Sequence, residues 1–293
     1  MFESFNALVN APMSEHTTLK LGGPADYLVF PRSAEEINAL FAEAGAYNLP
    51  VTVIGHGSNL LVLDGGIRGL VICIGKNMRT ITREGNMITA QAGAMLGSVA
   101  VEAAEAGLSG LEFASGIPGT VGGGVTMNAG AYNGEMSQVV KTVKALSPGG
   151  KEIVLSREEM DFSYRHSAVT EKNLIVTEAT FELQPGDPAT IRAKMSELNA
   201  RRAEKQPLDV PSAGSTFKRP EGFFAAALID QCGLKGFGVG GAQVSTKHAG
   251  FLVNNGSSSR DYLELVHRVQ QIVQEQTGVQ LETEIRIVGV EEI

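Results

Sequence analysis

Val51-Thr52-Val53-Ile54-Gly55-His56-Gly57-Ser58-Asn59-Leu60-Leu61 runs from an apolar stretch straight into a glycine-rich loop. Residues 51–54 read as a buried strand that follows Pro50. The loop begins Gly-x-Gly, but it lacks the third glycine of the Rossmann pattern and no helix-opening sequence follows. No Gly-x-x-x-x-Gly-Lys-Ser/Thr occurs anywhere in the chain. A strand followed by Gly-x-Gly-Ser-Asn can still present successive backbone N–H groups to a phosphate, as a nest does. A plain tight turn is the other reading.

A second glycine stretch is Gly116-Ile117-Pro118-Gly119-Thr120-Val121-Gly122-Gly123-Gly124. With so few long side chains, its backbone could pack against a pyrophosphate or a flat ring, or simply form a structural loop. Asn128-Ala129-Gly130-Ala131-Tyr132 follows and adds an amide that both donates and accepts. Two such loops in one chain favour a large phosphate-bearing ligand. A third cluster, residues 236–241 before Ala242-Gln243-Val244-Ser245, joins elements or shapes a pocket.

Around these loops, strands and helices mix. Ser33 caps a helix, Glu36 completes a capping box, and Ile37, Leu40, Phe41 and Ala44 recur at helical spacing. Residues 69–74 and 87–92 read as strands, and residues 96–106 as a helix closed by Gly107. Strand character returns at 139–146, 153–155 and 173–183. Pro185-Gly186-Asp187-Pro188 is the best internal boundary, with Asp187 capping the next helix and Pro188 at its first position. That helix carries Ile191, Met195 and Leu198 on one face and ends in Arg201, Arg202 and Lys205. Helices are expected at 223–231 and 261–276, the latter with Leu263, Val266, Val269, Ile272 and Val273 apolar and Gly278 as its stop. Residues 279–288 alternate as a strand does. The class is α+β.

The net charge of −8 argues against broad nucleic-acid binding, which needs a basic surface. Cys73 and Cys232 form no C-x-x-C pair, so they read as reduced, buried small hydrophobes rather than a zinc site or disulfide framework. His16, His56, His166, His248 and His267 show no metal-ligand spacing and read as structural or pocket-lining; no metal is expected. No run of 18 apolar residues exists, so no membrane insertion is expected. The N-terminal residues lack a basic region followed by an apolar stretch, which makes the cytoplasm the expected compartment.

Six segments, in order, resemble the UDP-N-acetylenolpyruvoylglucosamine reductase family. They are Gly55-x-Gly57-Ser58-Asn59-Leu60-Leu61, Gly116-Ile117-Pro118-Gly119-x-Val121-Gly122-Gly123, Asn128-Ala129-Gly130-Ala131-Tyr132, Ser163-Tyr164-Arg165, Ala213-Gly214-Ser215-x-Phe217-Lys218-x-Pro220 and Glu284-Ile285-Arg286. Thr18-Leu19-Lys20-Leu21-Gly22-Gly23 matches the family's opening segment. Arg219 after Lys218, together with the chain length, looks like the shorter subgroup; the longer one typically has Asn there.

The resemblance implies two α+β FAD-binding lobes of the vanillyl-alcohol-oxidase type, at residues 1–75 and 76–186. It further implies a smaller α+β substrate-binding domain at 187–278 and a C-terminal strand, 279–293, that returns to the flavin lobes. The implied cofactor is non-covalent FAD, with NADPH as co-substrate. The implied reaction reduces UDP-N-acetylglucosamine enolpyruvate in peptidoglycan precursor synthesis, hence cell-wall biogenesis, cell shape and cell division.

Gly55, His56, Gly57, Ser58, Asn59, Leu60, Gly116, Ile117, Pro118, Gly119, Thr120, Gly122, Gly123, Asn128 and Gly130 are then the FAD-binding positions. Arg165 and Glu284 carry over as the electrostatic pair and Ser215 as the proton donor, while Asn59, Lys205, Lys218 and Arg286 meet the substrate. Arginine holds its proton too firmly to be an acid, so Arg165 suits charge stabilisation. Serine is a weak acid and makes sense only as donor to a strongly basic enolate-like carbon. On residue chemistry alone, Arg165 also reads as a surface residue, Ser215 as a turn and Glu284 with Arg286 as a solvated strand face. A flavin oxidase of the same fold using oxygen, and a non-catalytic nucleotide-binding protein, are the alternatives.

Overall fold

The computed structural model describes residues 1–292; Ile293, the last residue of the expected C-terminal segment, lies outside the described residues. By backbone proximity the chain divides into two compact units. The first comprises Met1–Ala7, Val29–His56 and Ile72–Arg202, and the second Leu8–Leu28, Gly57–Val71 and Ala203–Ile293. The bounds expected at 75, 186 and 278 do not coincide with this division. Residues on both sides of 186 belong to the first unit, because Gln184–Pro185 pairs with Leu108–Ser109 and the Gly186 N–H donates to the Gly107 carbonyl at 2.8 Å.

The first unit is built on a five-stranded antiparallel sheet in the order Glu152–Ser156, Val140–Leu146, Ile175–Glu182, Met87–Gln91, Ile81–Glu84. The central strand alternates over most of its length. Thr177, Ala179 and Phe181 are buried, while Glu178, Thr180 and Glu182 point the other way. On that outer face Thr180 meets Thr89 (Oγ1 to Oγ1, 3.0 Å), Lys141 pairs with Glu182 (2.9 Å) and Lys144 with Glu178 (3.3 Å). Such cross-strand pairs add a few tenths of a kcal/mol each, roughly 0.2–1; the buried face holds the sheet.

Helix α1 (Ala34–Ala46) belongs to this unit and buries Ile37, Leu40 and Ala44 as the spacing predicts. The expected capping box is only half formed. Ser33 accepts from the Glu36 N–H at 3.2 Å, but the Glu36 carboxylate takes the Arg32 N–H (2.6 Å) and guanidinium (3.0 Å) instead. Phe41, expected on the buried face, is 37% exposed. Helix α2 (Leu96–Glu105) buries Leu96, Val99, Ala100, Ala103 and Ala104.

The glycine stretch expected to be an open loop contains a short helix, α3 (Val121–Thr126). Its first N–H groups are already taken: Val121 donates to the Ala94 carbonyl and Gly122 to the Ala92 carbonyl, both at 2.8 Å. A Cβ on Gly122 would sit 3.0 Å from the Ala92 Cβ. The residue that the sequence offers to a cofactor is thus pressed on its own unit's sheet. Helices α4 (Ala168–Glu171) and α5 (Pro188–Lys205) complete this part of the chain. Asp187 caps α5 as read from the sequence, accepting from the Thr190 N–H at 2.9 Å and hydroxyl at 2.7 Å; these bonds hold its carboxyl below the usual range.

The second unit carries the sheet Ser212–Ser215, Phe251–Asn254, Ala242–Val244, Gly238–Val239, packed with α6 (Ala225–Gln231) and α7 (Ser259–Thr277). Helix α6 starts two residues later than expected, which leaves Phe223 and Phe224 exposed. Helix α7 opens with a Ser258–Asp261 capping box and ends at Gly278 (φ 73°), the predicted stop. Its buried stripe is Tyr262, Leu265, Val266, Val269 and Val273; Leu263 and Ile272 flank it. Leu19, Leu21, Leu61, Leu281 and Ile285 join the same apolar cluster, so segments remote in sequence share one core.

Asp64 reinforces the helix start by accepting from the N–H groups of Ser259 (3.0 Å) and Arg260 (3.3 Å). The tail differs from the single alternating strand expected. Only Arg286–Val288 is a strand, parallel to Leu60–Val62, and Phe217–Thr283 is an isolated bridge before it.

Cys73 is buried, and burial pushes its thiol up to about 12; Cys232 is only half-buried, against expectation. Among the described residues no helix is long and apolar enough to cross a membrane.

A Gly122→Val protein should lose stability by about 1–3 kcal/mol through overpacking at Ala92. Thermal unfolding of the purified protein checks this, and an unchanged Tm would show that α3 has room to shift.

Candidate active site

The second unit gathers most of the positions expected to meet the substrate or donate the proton through backbone pairing of its tail. The Glu284 N–H donates to the Thr216 carbonyl (2.8 Å), Lys218 N–H to the Glu282 carbonyl (2.8 Å) and Arg286 N–H to the Asn59 carbonyl (2.9 Å). The Asn59 side-chain amide donates to the Glu284 carbonyl at 3.1 Å. Asn59, Lys218, Glu284 and Arg286 are therefore tied together by the tail's backbone, with Ser215 next to the paired Thr216, although 225 residues separate Asn59 from Glu284.

Ser215 ends a strand whose partner residue is Phe251; a bulge separates it from Ser212, and Gly214 lies at φ 77°. The bulge re-aims the chain just before the candidate donor. Thr216 behind it is fully buried. Its hydroxyl accepts from the Leu252 N–H (3.3 Å) and lies 3.4 Å from the Tyr262 hydroxyl, which donates to the Leu252 carbonyl (3.2 Å). Burial pushes the Tyr262 phenol up, so this network stays neutral at ordinary pH. The Lys218 ammonium pairs with Glu282 at 3.2 Å, and both are well exposed. Lys205 is exposed at the end of α5, and Gln206 beside it has a buried Oε1 with no hydrogen-bond partner among the described residues.

The first glycine loop is split between the units after His56. Gly57 (φ 69°) is in the left-handed region, and its Cα faces the His16 carbonyl, where a Cβ would clash; its own carbonyl accepts from the Thr18 N–H at 3.2 Å. The opening segment is thus held by this loop inside the second unit. Thr18 also donates to the Ser212 carbonyl (2.7 Å), and Asn254 to the Leu19 carbonyl (3.0 Å).

In the first unit, Gly55 abuts the hydroxyl of the buried Thr120, and Gly116 abuts Asn199 and Arg202. Ile117, Gly116 and exposed Pro118 border a shallow groove with Ser98, Val101 and Glu102. Gly119 accepts from the Leu96 N–H (3.0 Å), and Gly123 is exposed. Asn128 is fully buried at φ 42°, and its amide is already engaged: it donates to the Ser163 carbonyl (3.0 Å) and accepts from the Ser137 N–H (2.9 Å). Gly130 belongs to a two-residue hairpin through Tyr132 and Asn133, both at positive φ as such a turn requires.

Arg165 sits in a turn closed by two 3.2 Å bonds between Ser163 and His166, at φ 55°. Its guanidinium lies 5.0 Å from the Tyr164 ring centroid. Arginine at positive φ is costly and persists only where neighbours enforce it.

Sequence reading missed Arg202. Its Nε is buried with no hydrogen-bond partner among the described residues, and burial pulls its guanidinium below the ordinary arginine value, with Tyr132 opposing. Arg201 lies over the Tyr132 ring at 5.2 Å. The signal was present as the Arg201-Arg202 pair, but nothing in the spacing says which cation turns inward. A buried guanidinium Nε that lacks an acceptor, on a side chain that lies against Gly116, fits a carbonyl- or phosphate-bearing cofactor.

His166, read as structural or pocket-lining, lies between two carboxylates: Nε2 is 3.7 Å from Asp161 and 3.8 Å from Glu171. These three groups place their ligand-type atoms within 4.8 Å of one another, a juxtaposition that the sequence spacing does not announce.

Residues 25–156 match the FAD binding domain family, so fold and site define a flavoprotein of the α+β, vanillyl-alcohol-oxidase type. Residues 206–288 match the UDP-N-acetylenolpyruvoylglucosamine reductase C-terminal domain. The chain is 52% identical over 291 residues to the UDP-N-acetylenolpyruvoylglucosamine reductase of Levilactobacillus brevis, covering 99% of this chain and 95% of that one. It is 51% identical to the Clostridium novyi protein of the same name, over 96% and 92% of the two chains. The crystal structure of the Thermus caldophilus UDP-N-acetylenolpyruvylglucosamine reductase superimposes with a TM-score of 0.83 at 38% identity, covering 96% of this chain and 99% of that one. The chain belongs to the UDP-N-acetylenolpyruvoylglucosamine reductase family.

Thr216→Val should destabilise the protein by about 1–3 kcal/mol, because the buried Leu252 N–H loses its acceptor. Denaturant unfolding measures this, and a stability equal to wild type would mean that the hydroxyl network behind Ser215 contributes nothing net.

Proposed function

We propose that this protein is a UDP-N-acetylmuramate dehydrogenase that draws on NADPH and works in the cytoplasm. In this reading it reduces UDP-N-acetylglucosamine enolpyruvate to UDP-N-acetylmuramate for peptidoglycan precursor synthesis. The observation that carries the reading is the tail pairing that ties Asn59, Lys218, Glu284 and Arg286 together, with Ser215 adjoining the paired Thr216, in a chain that also bears an FAD-binding domain. FAD, when bound, supplies the hydride. The residues around Gly55 to Leu60 and Gly116 to Gly123 would hold it non-covalently, with Arg202 as a further partner.

Hydride addition to the enolpyruvyl methylene leaves an enolate-like carbon beside a carboxylate. Negative charge grows there, and the residues that meet it must be cationic or hydrogen-bonding. Arg165, permanently charged, stabilises it; Glu284, the other member of the electrostatic pair, polarises the substrate carboxylate in its protonated form, since an ionised carboxyl has no proton to donate. The Ser215 hydroxyl gives its proton to the carbon. Lys205, Lys218 and Arg286 balance the diphosphate, since a fixed −2 or greater charge calls for Lys or Arg; Lys218 must leave Glu282 to do so, at little cost because that pair is exposed.

Two experiments test the assignment. Ser215→Ala should leave NADPH-driven bleaching of the flavin nearly intact and slow reoxidation by the enolpyruvyl substrate by about 10²–10⁴-fold. Stopped-flow of each half-reaction, with flavin loading checked, measures this, and wild-type reoxidation removes Ser215 as donor. Lys205→Ala should mainly raise KM for the nucleotide-sugar, and for NADPH too if both use one cleft. Unchanged affinity for both ligands would refute the diphosphate role of Lys205.

A further inference from the structure

We propose that His166 is a positioning residue for Arg165, acting in its charged form by bridging Asp161 and Glu171 beneath the turn that presents Arg165. The proposal rests on the reading of Arg165 as the charge-stabilising group. The turn has two ends. Ser163 is tied by the Asn128 amide, which donates to its carbonyl at 3.0 Å. The other end is His166, whose N–H and carbonyl close the turn on Ser163.

Both Asp161 (φ 46°) and Arg165 (φ 55°) are non-glycine residues in the left-handed region. Such backbone holds only when neighbours enforce it. The charged groups against the imidazole are Asp161 from the same segment and Glu171 from α4, with Nε2 at 3.7 and 3.8 Å. Arg165 and Lys172 are the cations next to them in sequence. Helix α4 is itself anchored by the Ala168 N–H on the Met160 carbonyl at 2.7 Å.

A cationic His166 is attracted by both carboxylates and draws the segment before the turn toward the helix after it. A neutral one loses that attraction and leaves two like charges facing each other. The carboxylates are 79% and 67% exposed, so water screens the pairs and the effect is a modest one.

The test follows reoxidation of the reduced holoenzyme by UDP-N-acetylglucosamine enolpyruvate between about pH 5.5 and about pH 8.5, the span in which imidazoles change charge. Wild type, His166→Gln and His166→Lys are compared. At the low end His166→Gln should be slower than wild type by roughly two- to five-fold, and the two should converge at the high end. His166→Lys, which keeps its charge throughout, should exceed wild type at the high end. High salt should shrink these differences. If the His166 proteins are poorly folded, Asp161→Asn combined with Glu171→Gln should reproduce the low-pH loss with the imidazole intact. Parallel pH profiles for all of these proteins would overturn the proposal. Arg165→Ala in the same series separates the two layers: wild-type reoxidation there sinks the reading of Arg165 itself. Slow reoxidation in Arg165→Ala with coincident His166 profiles sinks only the positioning role.

Discussion

Residues 60–62 carry a row of backbone N–H and carbonyl groups, and the chain satisfies them with its own tail. Arg286–Val288 lies parallel to Leu60–Val62, and residues 282–284 pair just before with 216–218. Unpaired buried backbone costs about as much as a lost hydrogen bond, which makes this closure hard to forgo. Parallel pairing also needs a long connection, and here residues 63–285, most of the chain, supply it. The register is not free. Leu281 and Ile285 must enter the core, and a slip by one residue would turn them out. Once they are seated, Glu284 and Arg286 have no choice of place. The positions assigned to substrate chemistry are consequences of a packing constraint.

The same unit shows how a weak acid can be held in a fixed place. Ser215 stands between the bulge that precedes it and the fully buried Thr216, whose hydroxyl is shared with Leu252 and Tyr262. Every member of that network finds a partner, and a satisfied buried network is rigid in a way an apolar contact is not. Serine gives up a proton only to a strongly basic carbon. Precision of placement is then what a protein can contribute to such a transfer.

In the first unit, rigidity is stored differently. Arg165 and Asn128 are both held at positive φ, and the Asn128 amide spans from Ser137 to Ser163. The buried Arg202 Nε lacks an acceptor, and Gly116 lies against the same side chain. An orphaned donor beside a residue without a side chain is a local instability that a cofactor carbonyl or phosphate removes.

The sequence by itself determined the longer helices, most strands of the first unit's sheet, the cap at Asp187, the stop at Gly278 and, through six segments in order, the family. These depend on neighbours within a few residues or on residue identity, so they survive without coordinates. The second unit's four-stranded sheet and the short helix in the glycine stretch were not legible in the sequence. It overreached where a local rule competed with a distant partner. Glu36 turned to Arg32 rather than closing the capping box, and the alternation over 279–288 became a bridge and a three-residue strand because two different segments share the pairing. Gly122 illustrates the gap well: its lack of a side chain was legible, but whether the space served a ligand or Ala92 was not. Which arginine turns inward, which carboxylates flank His166 and which backbone groups hold Ser215 were decided only by tertiary structure. Each is a contact between residues that chain spacing does not relate, and burial and charge act through space rather than along the chain.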